Sequence, residues 1–154
     1  MAIGVVTKYN GLETTLFGTA GRQWDDATAG SNMFILADNT YIPSATHSTT
    51  SQLLGVITTG AGAPIAVPAP VLDSASVVGT TSFASGAANF GANVTITAKF
   101  LICVQPVTAN TFLGTTDKLL WYVDLDTTNT TTSQSSTNSN FIINQPANGW
   151  YSIT

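Results

Sequence analysis

Residues 94–105 alternate without a break. Val94, Ile96, Ala98, Phe100, Ile102 and Val104 are apolar, with Thr95, Thr97, Lys99, Leu101, Cys103 and Gln105 between them. Side chains in a strand point to opposite faces with a period of two, so this stretch is expected to be a half-buried β-strand. After a Pro/Thr/Asn/Gly-rich connection, Leu119, Trp121, Val123 and Leu125 repeat the pattern against Lys118, Leu120, Tyr122, Asp124 and Asp126. The two stretches are expected to pair antiparallel with one apolar face. Each Val, Ile, Leu or Phe fully buried there contributes roughly 1.5–3 kcal/mol before ordering entropy is subtracted. Leu101, Cys103, Leu120 and Tyr122 interrupt the other face. They form an apolar patch that needs a cover: the flank of a second sheet, an N-terminal helix or another subunit.

Shorter apolar runs punctuate the rest of the chain. Residues 32–37 (NMFILA) are apolar without alternation, as in a strand covered on both faces. A turn at residues 38–40 leads into Tyr41-Ile42-Pro43, extended because the residue before proline avoids the helical region. Residues 53–58, 71–78 and 82–84 are further strand candidates, as are Phe141-Ile142-Ile143 and a last strand at residues 150–153. Prolines 64, 68 and 70 confine residues 60–70 to an edge strand or an extended connection. Residues 127–140 are a Thr/Ser/Asn tract with no apolar residue, expected to be an exposed loop. At the start, residues 1–6 read as an extended apolar arm and residues 8 to about 17 as a short helix ended by Gly18 and Gly21. The expected fold is all-β: an antiparallel β-sandwich over residues 32–154, with at most one short helix and a docking loop in residues 1–31.

Composition narrows the function. Charged residues are 8% of the 154, against about 25% in ordinary globular chains, while 44% are hydrophobic and the net charge is −4. Surface polarity must come from hydroxyls and amides, so like-charge repulsion between neighbouring copies is weak and much of the surface is expected to be covered by other subunits. Lys8, Arg22, Lys99 and Lys118 are the only cations and build no basic patch, so no nucleic-acid binding is expected. The single Cys103 is expected to be a packing residue, and excludes an internal disulfide or multi-cysteine zinc site. No signal-like or membrane-spanning run is read, so the chain is expected to be made in a cytoplasm.

The residues needed for catalysis are not assembled in any recognisable motif. His47 is the only histidine, lies in a Ser/Thr loop and has no G-x-S-x-G elbow to serve; it is expected to be solvated or locally hydrogen-bonded. Asp124 and Asp126, two apart, share one face of a strand and could serve glycoside hydrolysis or hold a cation. At a strand end beside the Thr-rich tract, a solvated terminus is the simpler expectation. No enzyme and no cofactor is expected. The loop at residues 21–31 carries Arg22, Trp24, Asp25 and Asp26. Trp24 there either plugs the edge of the core or, with Arg22, anchors a partner. The candidate partner-binding residues are Ile3, Val5 and Val6 of the arm, and Arg22, Trp24, Asp25 and Asp26 of the loop.

Several segments together resemble a group of small structural proteins of tailed bacteriophages. Phe34-Ile35-Leu36-Ala37-Asp38 is followed by Tyr41-x-Pro43 and His47. The long strand reads Thr97-Ala98-Lys99-Phe100-Leu101-Ile102-Cys103-Val104. Residues 119–126 form a third segment, and the chain finishes on Gly149-Trp150-Tyr151-Ser152-Ile153. The resemblance covers residues 32–154, departing at Lys99, where an arginine is expected, and over residues 60–70. It implies a virion component, most similar to a capsid decoration (cement) protein. Such a protein is a homotrimer on the capsid exterior, gripping the major capsid protein. A phage tail or adhesion module binding host glycans, with Trp24, Trp150 and Tyr151 as stacking platforms, is the alternative.

Overall fold

The computed structural model describes residues 4–12, 24, 30–73, 81–109, 114–128, 133–147 and 149–153. The run Met33–Ala37 (β2) is buried at every position, and its place in the sheet explains why. It pairs antiparallel with Phe100–Gln105 (β8) on one side, from Met33 opposite Val104 to Ala37 opposite Phe100, and with Ile65–Ala66 (β3) on the other. β8 pairs in turn with Lys118–Asp124 (β9), and β9 with Thr7–Lys8 (β1). The result is a five-stranded antiparallel sheet of order β1-β9-β8-β2-β3. Three smaller antiparallel sheets accompany it. Val71–Asp73 (β4) and Thr81–Ala84 (β5) join Tyr151–Ile153 (β12); Ala88–Asn89 (β6) joins Ile142–Ile143 (β11); Val94–Ala98 (β7) joins Gln134–Ser139 (β10). Among the described residues the only complete helical elements are 3-10 turns at Thr50–Gln52 and Gly60–Gly62. The fold is all-β and sandwich-like, and the proline-bounded β3 is an edge strand.

Each face of the large sheet carries its own apolar core. On one, Phe34, Leu36, Leu101, Cys103, Trp121 and Val123 form a single core with Phe83, Phe90, Ile96, Phe141, Ile143 and Trp150 of the smaller sheets and their connections. Trp121 and Trp150 stack at 5.2 Å, and Phe34 meets both rings edge-on. On the other face, Met33, Ile35, Ala37, Phe100, Ile102, Val104 and Leu119 lie under Tyr9, Tyr41, Leu53 and Val56. The stretch after β2 thus folds back as the cover. Gly55 lets it do so: its φ is +59°, and a Cβ there would land on the Asp38 carboxylate and the Thr40 hydroxyl.

The long alternating stretch is two strands, not one. Ile96 and Ala98 face the first core, but Phe100, Ile102 and Val104 face the second; Leu101 and Cys103 take over the first. The inversion is at Lys99, a residue outside both strands whose N–H donates to Ala37 O at 2.8 Å and whose carbonyl accepts Leu125 N at 2.8 Å. One residue inserted into a period-two pattern exchanges the faces. The same happens in β9. Cys103 stands opposite Trp121 and Val104 opposite Leu119, so Leu120 is extra and Leu119 turns to the second core. Leu101, Cys103 and Leu120 are therefore covered by the smaller sheets, one of the three expected covers.

Three further expectations are corrected. Lys8, expected to begin a helix, instead pairs with Trp121, and Thr7 with Tyr122, as an edge strand, and Tyr9 N extends the pairing to Leu120 O. Residues 13–17 of that expected helix lie outside the described residues. Within residues 53–58, Val56 alone bridges Ala37, since the glycine turn at 55 brings in only that much of the chain. The Thr/Ser/Asn tract contains β10. It needs little apolar burial because β7 supplies its backbone partners, and the Ser136 hydroxyl donates to Val94 O while accepting Ile96 N.

Candidate functional site

Where the chain changes sheets at Lys99, a cleft of about 670 Å³ opens on the second face. Gly4, Val5 and Thr7 wall one side, and Asn39, Tyr41, Ile42 and Pro43 the other; Lys99, Phe100, Tyr122, Asp124 and Thr127 complete the lining. Gly4 is tied in place by its N–H, which donates to Asp124 O at 2.7 Å. From there the arm alternates as an extended chain must: Val5 is 88% exposed at the cleft, while Val6 packs on the first core. Ile42, held extended by Pro43, is 79% exposed on the opposite lip. Under the lips, Phe100 meets Tyr41 at 5.8 Å and 88°, and Tyr122 at 6.2 Å and 80°.

The charged groups of the cleft are paired with each other. Lys99 Nζ lies 2.8 Å from Asp124 Oδ1, donates to Asp126 O and sits 5.9 Å from the Phe100 ring centroid. Asp124 Oδ1 also accepts Asp126 N at 2.9 Å, and Asp126 Oδ1 accepts the N–H and hydroxyl of Thr128. The two carboxylates, expected to be solvated, are instead a buried lysine's partner and a turn's anchor, because Lys99 at the inversion point needs a counter-charge. Beside the cleft, the Tyr9 and Tyr41 hydroxyls are 2.8 Å apart and Tyr41 Oη is 2.9 Å from His47 Nδ1. Burial pushes the Tyr9 phenol well above the usual tyrosine range, with the Tyr41 contact adding to it, and burial raises Tyr41 as well. His47 is locally hydrogen-bonded, as expected.

The other sequence candidates do not join this cleft. Trp24 is 1% exposed; its Nε1–H donates to Ala84 O at 2.9 Å and its ring meets Phe83 edge-on, so it is the core plug of its two readings. Large apolar area favours burial once the indole N–H has an acceptor. Trp150 is also buried, its Nε1–H donating to Ser85 Oγ, so neither tryptophan offers a surface platform for sugars. Ile3, Arg22, Asp25 and Asp26 lie outside the described residues, as does the side chain of Tyr151. Cys103 is a buried free thiol, raised above its ordinary range by desolvation. Reading the sequence missed Ile42. The signal was there: a large apolar residue directly before a proline, in a stretch whose neighbours are polar.

Among the described residues no three or more His, Cys, Asp or Glu side chains group as metal ligands, and no helix is long and apolar enough to cross a membrane. Comparison of the chain with models of protein families, with curated protein sequences and with solved structures finds no match in any of the three.

Proposed function

We propose that this chain is a non-enzymatic structural protein of a tailed-bacteriophage virion. In this reading it is a capsid decoration (cement) protein that binds the outside of the head and braces neighbouring major capsid proteins. The observation that carries the reading is the cleft at the sheet inversion. Its two lips are the most exposed large apolar side chains of the described residues, Val5 and Ile42, and its one ion pair is already neutralised within the chain. Such a surface suits an uncharged protein segment. The low charge of the whole chain and the resemblance of residues 32–154 to small phage structural proteins support the same role.

In that role the arm and the turn at residues 41–43 grip the capsid protein, and three copies pack about a local three-fold position. Simultaneous contact with several capsomers multiplies modest affinities through effective concentration. Assembly takes place in the host cytoplasm, and the product stands on the virion exterior. The test is to mix the purified chain with undecorated heads and sediment them. Co-sedimentation with heads, absent with free capsid subunits, is the expected result. A chain that stays in the supernatant ends the proposal, as does one that binds glycans and ignores heads.

A further inference from the structure

Among the described residues, the sheet edges are β1, β3, β4 and β12 and both strands of each two-stranded sheet (β6, β7, β10 and β11), and most carry features that discourage pairing with another chain: β6 and β11 have two residues each, and β7 lies against the turn Gly60–Gly62. β1 has Lys8. β3 is two residues long, with Pro64 directly before it and Pro68 shortly after. β4 follows Pro70 and ends on Asp73, and β12 has three residues. β10 is different. Its six residues, QSSTNS, include no charge and no proline; among the described residues they pair only with β7, and Ser135, Thr137, Asn138 and Ser139 are exposed. One irregularity is present: Thr137 and Asn138 both stand in the interval that Thr95 alone fills on β7, and Asn138 takes a φ of 52°. It bends the far half of β10 and leaves Gln134, Ser135 and Ser136 in regular register with Ala98, Thr97 and Ile96.

We propose that the outer edge of β10 pairs antiparallel with β10 of a second copy of this chain. A two-fold contact needs a surface compatible with itself. Every side chain of β10 is a neutral hydroxyl or amide that both donates and accepts, so like meets like across such a pair without an orphaned group or a repelling charge. A charged strand from another protein finds no counter-charge there. With a net charge of −4 over 154 residues, two copies approach against little repulsion. The regular half of β10 spans only about 10 Å, so the pairing is weak and grows with concentration. This contact does not depend on the virion role; if three-fold packing also occurs, it links one trimer to the next.

Hydrogen–deuterium exchange of the full chain, from micromolar to millimolar concentration, tests the contact. Amides of residues 134–139 are expected to slow several-fold as concentration rises, while the guarded edge at residues 7–8 stays unchanged. The double variant S135K/T137K places like charges across the pair and abolishes the slowing; S135A/T137A retains it. Exchange that is independent of concentration overturns the proposal. So does slowing that survives S135K/T137K, which would mean that another surface associates.

Discussion

Lys99 Nζ and Asp124 Oδ1 lie 2.8 Å apart, with the lysine side chain 1% exposed and the aspartate 29%. The lysine sits at the one residue where the chain leaves β7 and enters β8, so the pair pins the crossing between two sheets. Removing one partner of such a pair leaves a buried charge uncompensated, which costs several kcal/mol, whereas removing both is far milder. Asp124→Asn is therefore expected to destabilise the fold by about 2–4 kcal/mol, and Lys99→Met/Asp124→Asn by less than the sum of its parts. Urea unfolding of the double-mutant cycle measures this; strictly additive losses would sink the explanation.

Tyr41 joins Tyr9 to His47 through its hydroxyl. Tyr41→Phe keeps the ring against Phe100 but strips the buried Tyr9 hydroxyl of its partner. The expected cost is about 1–3 kcal/mol, read by chemical denaturation. Tyr9→Phe/Tyr41→Phe, which removes both buried hydroxyls, is expected to recover part of that loss. No recovery would place the cost elsewhere.

Alkaline pH acts on the same pair. Burial holds the Tyr9 and Tyr41 phenols above the ordinary value of about 10. Below that value both folded and unfolded chains keep the protons, and the stability is full. Above it the unfolded chain releases protons that the folded chain retains, so stability falls as pH rises further. Absorbance near 295 nm (the phenolate band) is expected to show these two tyrosines ionising only as the fold is lost. Early ionisation of all tyrosines with the fold intact would contradict it.

The lips of the cleft offer a separate test of function. Val5→Asp and Ile42→Asp alter exposed side chains, so stability is expected to shift by no more than about 0.5 kcal/mol. Binding to undecorated heads is expected to fall at least tenfold in each, measured by sedimentation against a wild-type control. Unchanged binding in both variants would remove this cleft from the proposed contact.

The sequence was a good guide wherever a residue's fate depends on near neighbours. The apolar run 33–37 is a strand covered on both faces, the prolines hold β3 at an edge, and Cys103 is packed. It was a poor guide to which core a residue joins. Nothing in the spacing of residues 94–105 marks Lys99 as an inserted position; only Ala37 O, Leu125 N and the Asp124 carboxylate, distant in sequence, make it one. The sequence put Val5 and Val6 together in one arm; only the structure turns Val5 outward and Val6 onto the first core.

An all-β chain with little charge and abundant strand-forming hydroxyl residues follows from composition and periodicity, because these set backbone preference and total apolar area. Tertiary structure alone decided where the pattern slips, that Trp24 and Trp150 turn inward, that a tract without apolar residues becomes β10, and that Val5 and Ile42 frame one cleft. Each outcome rests on a long-range partner supplying a hydrogen bond, a counter-charge or a covering side chain, and a local pattern carries no information about which partner arrives.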